Sequence, residues 1–146
     1  MIRTQQLTRR YGDVMAVDSV SFAIESGEIV GLLGHNGAGK TTIMKIMTGY
    51  LEPSSGSVQV DGVDVTDEPL KVQGRIGYLP ENVPLYPEMT IVEYLEYAAV
   101  MRGVVEAERA PAVRRAIRAT NLVDRALDVI GSLSRGYRQR VGVAQA

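Results

Sequence analysis

Apolar residues at Val20, Phe22 and Ile24 alternate with smaller or polar neighbours, the two-residue period of a half-buried strand. After a turn at Ser26-Gly27 the alternation gives way to a compact apolar run, Ile29 to Leu33, as expected for a strand buried on both faces. "GSVQVDGVDVT" reads as a hairpin, with Asp61-Gly62 supplying residues that tolerate positive φ. "RIGYLP" reads as another short buried strand, ended by Pro80. Past Glu88 the period lengthens. Thr90 and Glu93 form a T-x-x-E capping box, and Ile91, Leu95, Ala98 and Met101 line one face of a helix that Gly103 ends. A second helix is expected to start near Pro111, which suits a first turn, and to run through Val113, Ala116 and Ile117. A last helix opens at Ser134.

Composition narrows the class without naming a chemistry. A chain of 146 residues, 45% hydrophobic and 23% charged, suits one globular domain with a real core. The formal net charge of -1 gives no strong pull toward nucleic acid or an anionic membrane, so no nucleic-acid partner is expected. The charge is uneven: from Met101 onward nine arginines face four acidic residues. With no cysteine, disulfides and thiolate metal sites are excluded, which fits a reducing compartment. The start, "MIRTQQLTRRYGD", has no apolar core of a secretory signal. No apolar run approaches the roughly 20 residues that cross a bilayer. A soluble cytoplasmic protein is expected, with any membrane association made through a partner.

The strongest chemical signal is "GLLGHNGAGKTT". Gly34 and Gly39 bracket four residues and precede Lys40 and Thr41, the G-x-x-x-x-G-K-[ST] pattern, placed between the expected buried strand and a helix over 41–47. Glycines let the backbone wrap so that successive N–H groups point at phosphate oxygens. The helix start adds its positive dipole end. Gly34, His35, Asn36, Gly37, Ala38, Gly39, Lys40, Thr41 and Thr42 are therefore the candidate phosphate cradle. Lys40 carries the charge for the β- and γ-phosphates, and the Thr41 hydroxyl is a candidate Mg²⁺ ligand. His35, the only histidine, has no acid placed beside it and reads as a loop-tip side chain.

Three more stretches separate the many families that share this loop. Tyr11, in "RRYGDVMAVDSVSF", falls on an expected hairpin upstream of the loop, where an aromatic ring could stack on a purine. "IGYLPEN" places Glu81 at an expected strand end, and "LSRGYRQR" follows 90-odd residues after the loop. Together these motifs, in this order and over essentially the whole chain, resemble the nucleotide-binding domain of ABC transporters. "GYLPENVPLY" and "LSRGYRQR" look most like the ATPase subunits of ABC-2-type exporters.

The resemblance implies an α/β fold: a P-loop NTPase (RecA-like) core, an N-terminal antiparallel β subdomain and a helical subdomain. The expected division is residues 1–87 for the first two and 88–146 for the helical part, with the boundary in the proline-broken "PENVPLYPE". It implies ATP and Mg²⁺ as cofactors, with Tyr11 stacking on adenine and Val17 flanking the base. Glu81 stands where the family has the Q-loop glutamine, as a possible second metal ligand or a solvated acid. Leu133, Ser134, Gly136 and Tyr137 align with the LSGGQ signature. Arg135 and Tyr137 depart from it, replacing its first glycine and its glutamine. Ser134 and Gly136 would complete, with Lys40, a catalytic site shared head to tail with a second nucleotide-binding domain. An integral membrane permease is the other implied partner, near Leu85 and Tyr86, holding the protein at the inner face of the cell membrane.

In the family, the metal-binding Asp strand, the general-base Glu, the D-loop and the switch histidine follow the signature helix. These lie beyond Ala146, so the chain reads as a truncated cassette. Its parallel sheet would then lack strands and leave apolar edges unpaired, an aggregation hazard. Hydrolysis by these 146 residues alone would be poor, because loss of a general base costs about 10²–10⁴ in rate. The rival readings are a non-transport ABC ATPase and a nucleotide-binding module without turnover.

Overall fold

A computed structural model describes residues 1–146, which divide into two compact units, Met1–Ile76 and Gly77–Ala146. The first unit is a four-stranded antiparallel sheet with a short helix laid on it. Strands β1 (Ile2–Tyr11) and β2 (Val14–Ile24) form a hairpin around Gly12 and Asp13. Three irregularities interrupt their ladder, and Gln6 and Ser19, within the first two, take positive φ. Hydroxyls take up the amides released there: Gln6 N donates to Ser21 Oγ at 2.8 Å, and Ser19 N to Thr8 Oγ1 at 3.0 Å. β3 (Ser55–Val60) pairs with the other edge of β1, and β4 (Val63–Asp64) pairs with β3, giving the order β2-β1-β3-β4. The expected hairpin at Asp61-Gly62 is present. Both residues have positive φ, 47° and 75°, as a two-residue turn closing on Val60 and Val63 requires.

Helix α1 (Lys40–Met47) presents Ile43, Ile46 and Met47 to a core completed by Leu7, Val17, Val58, Val60, Val63, Val65 and Val72. The last of these comes from a short helix α2 (Pro69–Gln73), with Pro69 in its first turn. The expected strands at Ile29–Leu33 and in "RIGYLP" do not form. Residues 28–35 and 76–80 have no regular structure, and Ile29 and Leu33 are almost fully exposed. The reason is pairing: no other strand of the chain takes either segment as a neighbour. An apolar run acquires strand geometry only when ladder hydrogen bonds and a covering layer reward it.

The second unit is helical. α3 (Ile91–Met101) starts with the expected capping box: Glu93 N donates to Thr90 Oγ1, and the Glu93 carboxylate accepts from Thr90 N at 2.8 Å. Two bonds donated to the Glu93 carboxylate, from Thr90 N foremost and from Thr90 Oγ1 at 2.7 Å, hold it below its ordinary pKa. A depressed carboxyl stabilises the fold above its unfolded pKa, and that contribution disappears as pH falls through the lower folded value. Thr90→Ala keeps the backbone bond and removes the hydroxyl. It is therefore expected to cost about 1 kcal/mol and to flatten only part of this acid-side loss, both readable in denaturant melts across pH 2–5. The buried face of α3 is Ile91, Tyr94 and Leu95, whereas Met101 is exposed. Tyr94 is tolerated there because its hydroxyl donates to the Pro84 carbonyl at 3.1 Å. Met101 misses the core because the chain turns away at once, with Gly103 at φ 73°.

α4 (Glu106–Ala119) begins well before Pro111, which lies inside it rather than at its first turn. The acidic pair Glu106 and Glu108 in the first turn is the start signal that outweighs the proline. Val113 and Ile117 from α4, Leu122, Ile130 and Leu133 from the connecting turns, and Val141 from α5 (Arg135–Gln145) close the second core around Ile91, Tyr94 and Leu95. α5 is pinned along its far half. Gly142 faces Leu79 and Val83 so closely that a Cβ there would sit 2.6 Å from Leu79 Cδ1. Gln145 Nε2 donates to the Tyr78 carbonyl at 3.3 Å. No helix in either unit is long and apolar enough to cross a membrane.

Candidate functional site

The glycine-rich loop is built by the start of α1 and by β2 beneath it. Gly37 and Gly39 hold φ of 86° and 83°, a left-handed conformation costly for any residue with a Cβ. Gly39 has a second constraint. A Cβ on it would collide with the Ala16 carbonyl oxygen and come within 3.1 Å of Val17 Cγ2. Val17 is thus the floor on which the loop rests, itself almost wholly buried in the first core. Ala38 N closes a turn onto the His35 carbonyl at 3.2 Å, and a Cβ on Gly34 would touch that of Ala38 at 3.1 Å.

The first amide of α1 to find an acceptor is Ile43 N, bound to the Gly39 carbonyl at 2.9 Å. The amides of Lys40, Thr41 and Thr42 precede it and have no partner within the helix, as at any helix start. The Lys40 ammonium folds over the loop and donates to the carbonyls of Gly34 at 2.6 Å and His35 at 2.8 Å. Residues 34–38 and Thr41 are exposed. A ring of free amides with one ammonium at its rim and a helix dipole behind it attracts a polyanion. His35 points elsewhere: its Nδ1 lies 2.9 Å from the Asn36 carbonyl.

Tyr11 ends β1 at the hairpin turn, with 47% of its surface exposed. The Arg9 guanidinium carbon lies 4.8 Å from its ring centroid. Arg9 does not stand out in the sequence by residue type. Spacing is the signal that finds it, since residues two apart on a strand share a face.

The second unit carries the remaining candidates. Glu81 is exposed in the irregular segment whose Leu79 and Val83 pack on Gly142. Ser134 occupies the N-cap position of α5 as expected, in extended geometry, but its side chain makes no capping bond. Gly136, in the first turn, has nothing within 4 Å of where a Cβ would stand. A helical glycine costs up to about 1 kcal/mol relative to alanine, and neither backbone strain nor packing within this chain requires one here. Tyr137 lies between two guanidinium groups, those of Arg125 and Arg140, each 5.2 Å from its ring.

No group of three His, Cys, Asp or Glu side chains gathers to hold a metal. The Thr41 hydroxyl, exposed in the first turn of α1, suits a Mg²⁺ ion that keeps most of its waters and arrives with phosphate oxygens.

Comparisons with known proteins bear on the family of the chain. The family model described as ABC transporter matches residues 17–146. "ABC transporter ATP-binding protein NatA" of Bacillus subtilis is 38% identical over 151 residues, covering 100% of this chain and 61% of NatA. "SkfA peptide export ATP-binding protein SkfE", also of Bacillus subtilis, is 34% identical, covering 100% of this chain and 60% of SkfE. Among solved structures, an ATP binding subunit of an ABC transporter superposes with a TM-score of 0.87 at 32% identity, covering 100% of this chain and 61% of that one. The dimeric structure of MJ0796, a bacterial ABC transporter cassette, gives 0.87 at 26% identity, covering 99% of this chain and 68% of that one. The chain thus spans about three fifths of the length of NatA and SkfE.

Proposed function

Since this chain belongs to the ABC transporter family of ATP-binding cassettes, we propose that residues 34–42 grip the triphosphate of Mg-ATP. The observation that carries this is the loop itself: amides of a helix start left open, two left-handed glycines, and Lys40 held at the rim by loop carbonyls. In this reading the phosphates displace those two carbonyls as the partners of Lys40. Thr41 supplies one oxygen to the Mg²⁺ that travels with the nucleotide, and Glu81 stands at the Q-loop position as a second candidate ligand. The adenine rests on Tyr11, with Val17 at the base-flanking position of the family.

The protein to which these residues belong then hydrolyses ATP and drives export through an integral membrane permease at the inner face of the cell membrane. The permease reaches Leu85 and Tyr86. Tyr86 is 44% exposed, and its ring stands edge-on to Tyr97 at 5.6 Å. A second cassette packs head to tail, taking its γ-phosphate contact from Ser134 and Gly136. The uncapped Ser134 hydroxyl and the open space at Gly136 support this contact. Export is favoured over import by the "GYLPENVPLY" segment.

Titration calorimetry of Mg-ATP into the protein tests the first step, with uptake expected in the micromolar range. A handful of charge-assisted hydrogen bonds, each about 1.5–3 kcal/mol net, is enough for that affinity. No heat of binding at millimolar ATP would remove the foundation of this function.

A further inference from the structure

Arg9 has a geometry that the phosphate cradle does not explain. One terminal nitrogen donates to the Glu52 carbonyl at 3.0 Å, yet Nε is buried without a hydrogen-bond partner. Unmade bonds of buried donors are costly and call for a reason. A strand arginine in solvent has rotamers that hydrate all five donors. This one gives up a donor and lays its guanidinium over Tyr11, 4.8 Å from the ring centroid.

We propose that Arg9 is the positioning residue of the base platform, bracing the Tyr11 ring from one face so that the other face receives a purine. This rests on the reading of Tyr11 as the stacking partner of adenine. Three features of the first unit support it. Arg9 and Tyr11 share one face of β1, so the contact follows from strand periodicity and not from a chance rotamer. The Glu52 bond ties the guanidinium to a point outside the hairpin, so the brace is fixed at both ends. Tyr11, covered on one side and 47% exposed overall, keeps surface to offer.

The effect on binding has two parts. A braced ring has lost its rotational freedom before the nucleotide arrives, so less ordering is left for the binding step. A cation on one face also draws electron density from the ring, which improves stacking of an electron-rich purine on the opposite face. Neither part touches the phosphates. Arg9 therefore acts on the base alone.

The test compares 1,N6-ethenoadenosine triphosphate, whose emission is quenched by ring stacking, with inorganic tripolyphosphate, which has no base. In the wild-type protein the etheno nucleotide is quenched on binding. Arg9→Met is expected to weaken its affinity about three- to tenfold and to reduce the quench, while tripolyphosphate affinity stays within about twofold. Arg9→Lys, which keeps the charge but not the plane, should recover part of both. Tyr11→Leu should lose more than either. If Tyr11→Leu abolishes the quench and Arg9→Met leaves quench and affinity at wild-type values, the brace is refuted and the adenine platform stands. An equal loss of tripolyphosphate binding in Arg9→Met would also refute it, by showing general damage to the unit. If Tyr11→Leu itself changes nothing, the platform reading fails and the brace with it.

Discussion

Lys40→Met weakens Mg-ATP binding by about 10- to 100-fold, the expected result of removing one charge-assisted contact worth about 1.5–3 kcal/mol. Methionine keeps the length of the stem, so the loss isolates the ammonium. The wild-type geometry adds a complication that works in the opposite direction. Lys40 already donates to the carbonyls of Gly34 and His35, and those bonds must be exchanged for phosphate when the nucleotide enters. The measured loss is therefore a difference between two sets of bonds. Lys40→Arg should fall between wild type and methionine, because guanidinium retains the charge but not the compact ammonium that fits two converging carbonyls. Calorimetry at fixed salt reads all three. A methionine variant within twofold of wild type would mean that the loop does not use Lys40 to hold the triphosphate.

Gly39→Ala should be the most damaging single-atom change in the phosphate loop. Its left-handed φ alone strains an alanine by about 1–2 kcal/mol, and the new methyl also drives into the Ala16 carbonyl. Together these give an expected loss of about 2–5 kcal/mol, with nucleotide binding lost as the loop lifts off β2. Gly37→Ala is the internal control. It has the same sign of φ, 86°, but nothing within 4 Å of the added methyl, so only the backbone strain of about 1–2 kcal/mol should appear. Urea melts of the two variants separate the terms. Equal losses would show that contact with the Ala16–Val17 strand does not matter.

The local rules of the sequence carried a good part of this. Asp61-Gly62 and Thr90-x-x-Glu93 are legible because their structures are set by adjacent residues: a positive-φ pair and a reciprocal cap. The loop at 34–42 is legible for the same reason. Ile29–Leu33 is not, since an apolar run specifies burial but not a neighbour to pair with, and in this chain none does so. The start of α4 shows a different limit. Proline at 111 looks like a first-turn residue, but the acidic start at Glu106 and the burial of Val113 and Ile117 outweigh its cost, one lost backbone bond and a ring crowding the carbonyl four residues earlier. Arg9 and Ala16 could not be picked out by residue type. One acts by stacking on a neighbour and the other through its backbone oxygen, and sequence motifs record neither.

The close fit at Gly142 has a mechanical consequence. α5 is 11 residues long, about 16 Å of stiff hydrogen-bonded rod. Its far half is locked to Leu79 and Val83, with Tyr78 held as well. The opposite tip is Ser134. The neighbours of Glu81 are thus tied to one end of this rod and Ser134 stands at the other, so two motifs more than 50 positions apart in the chain share one rigid support.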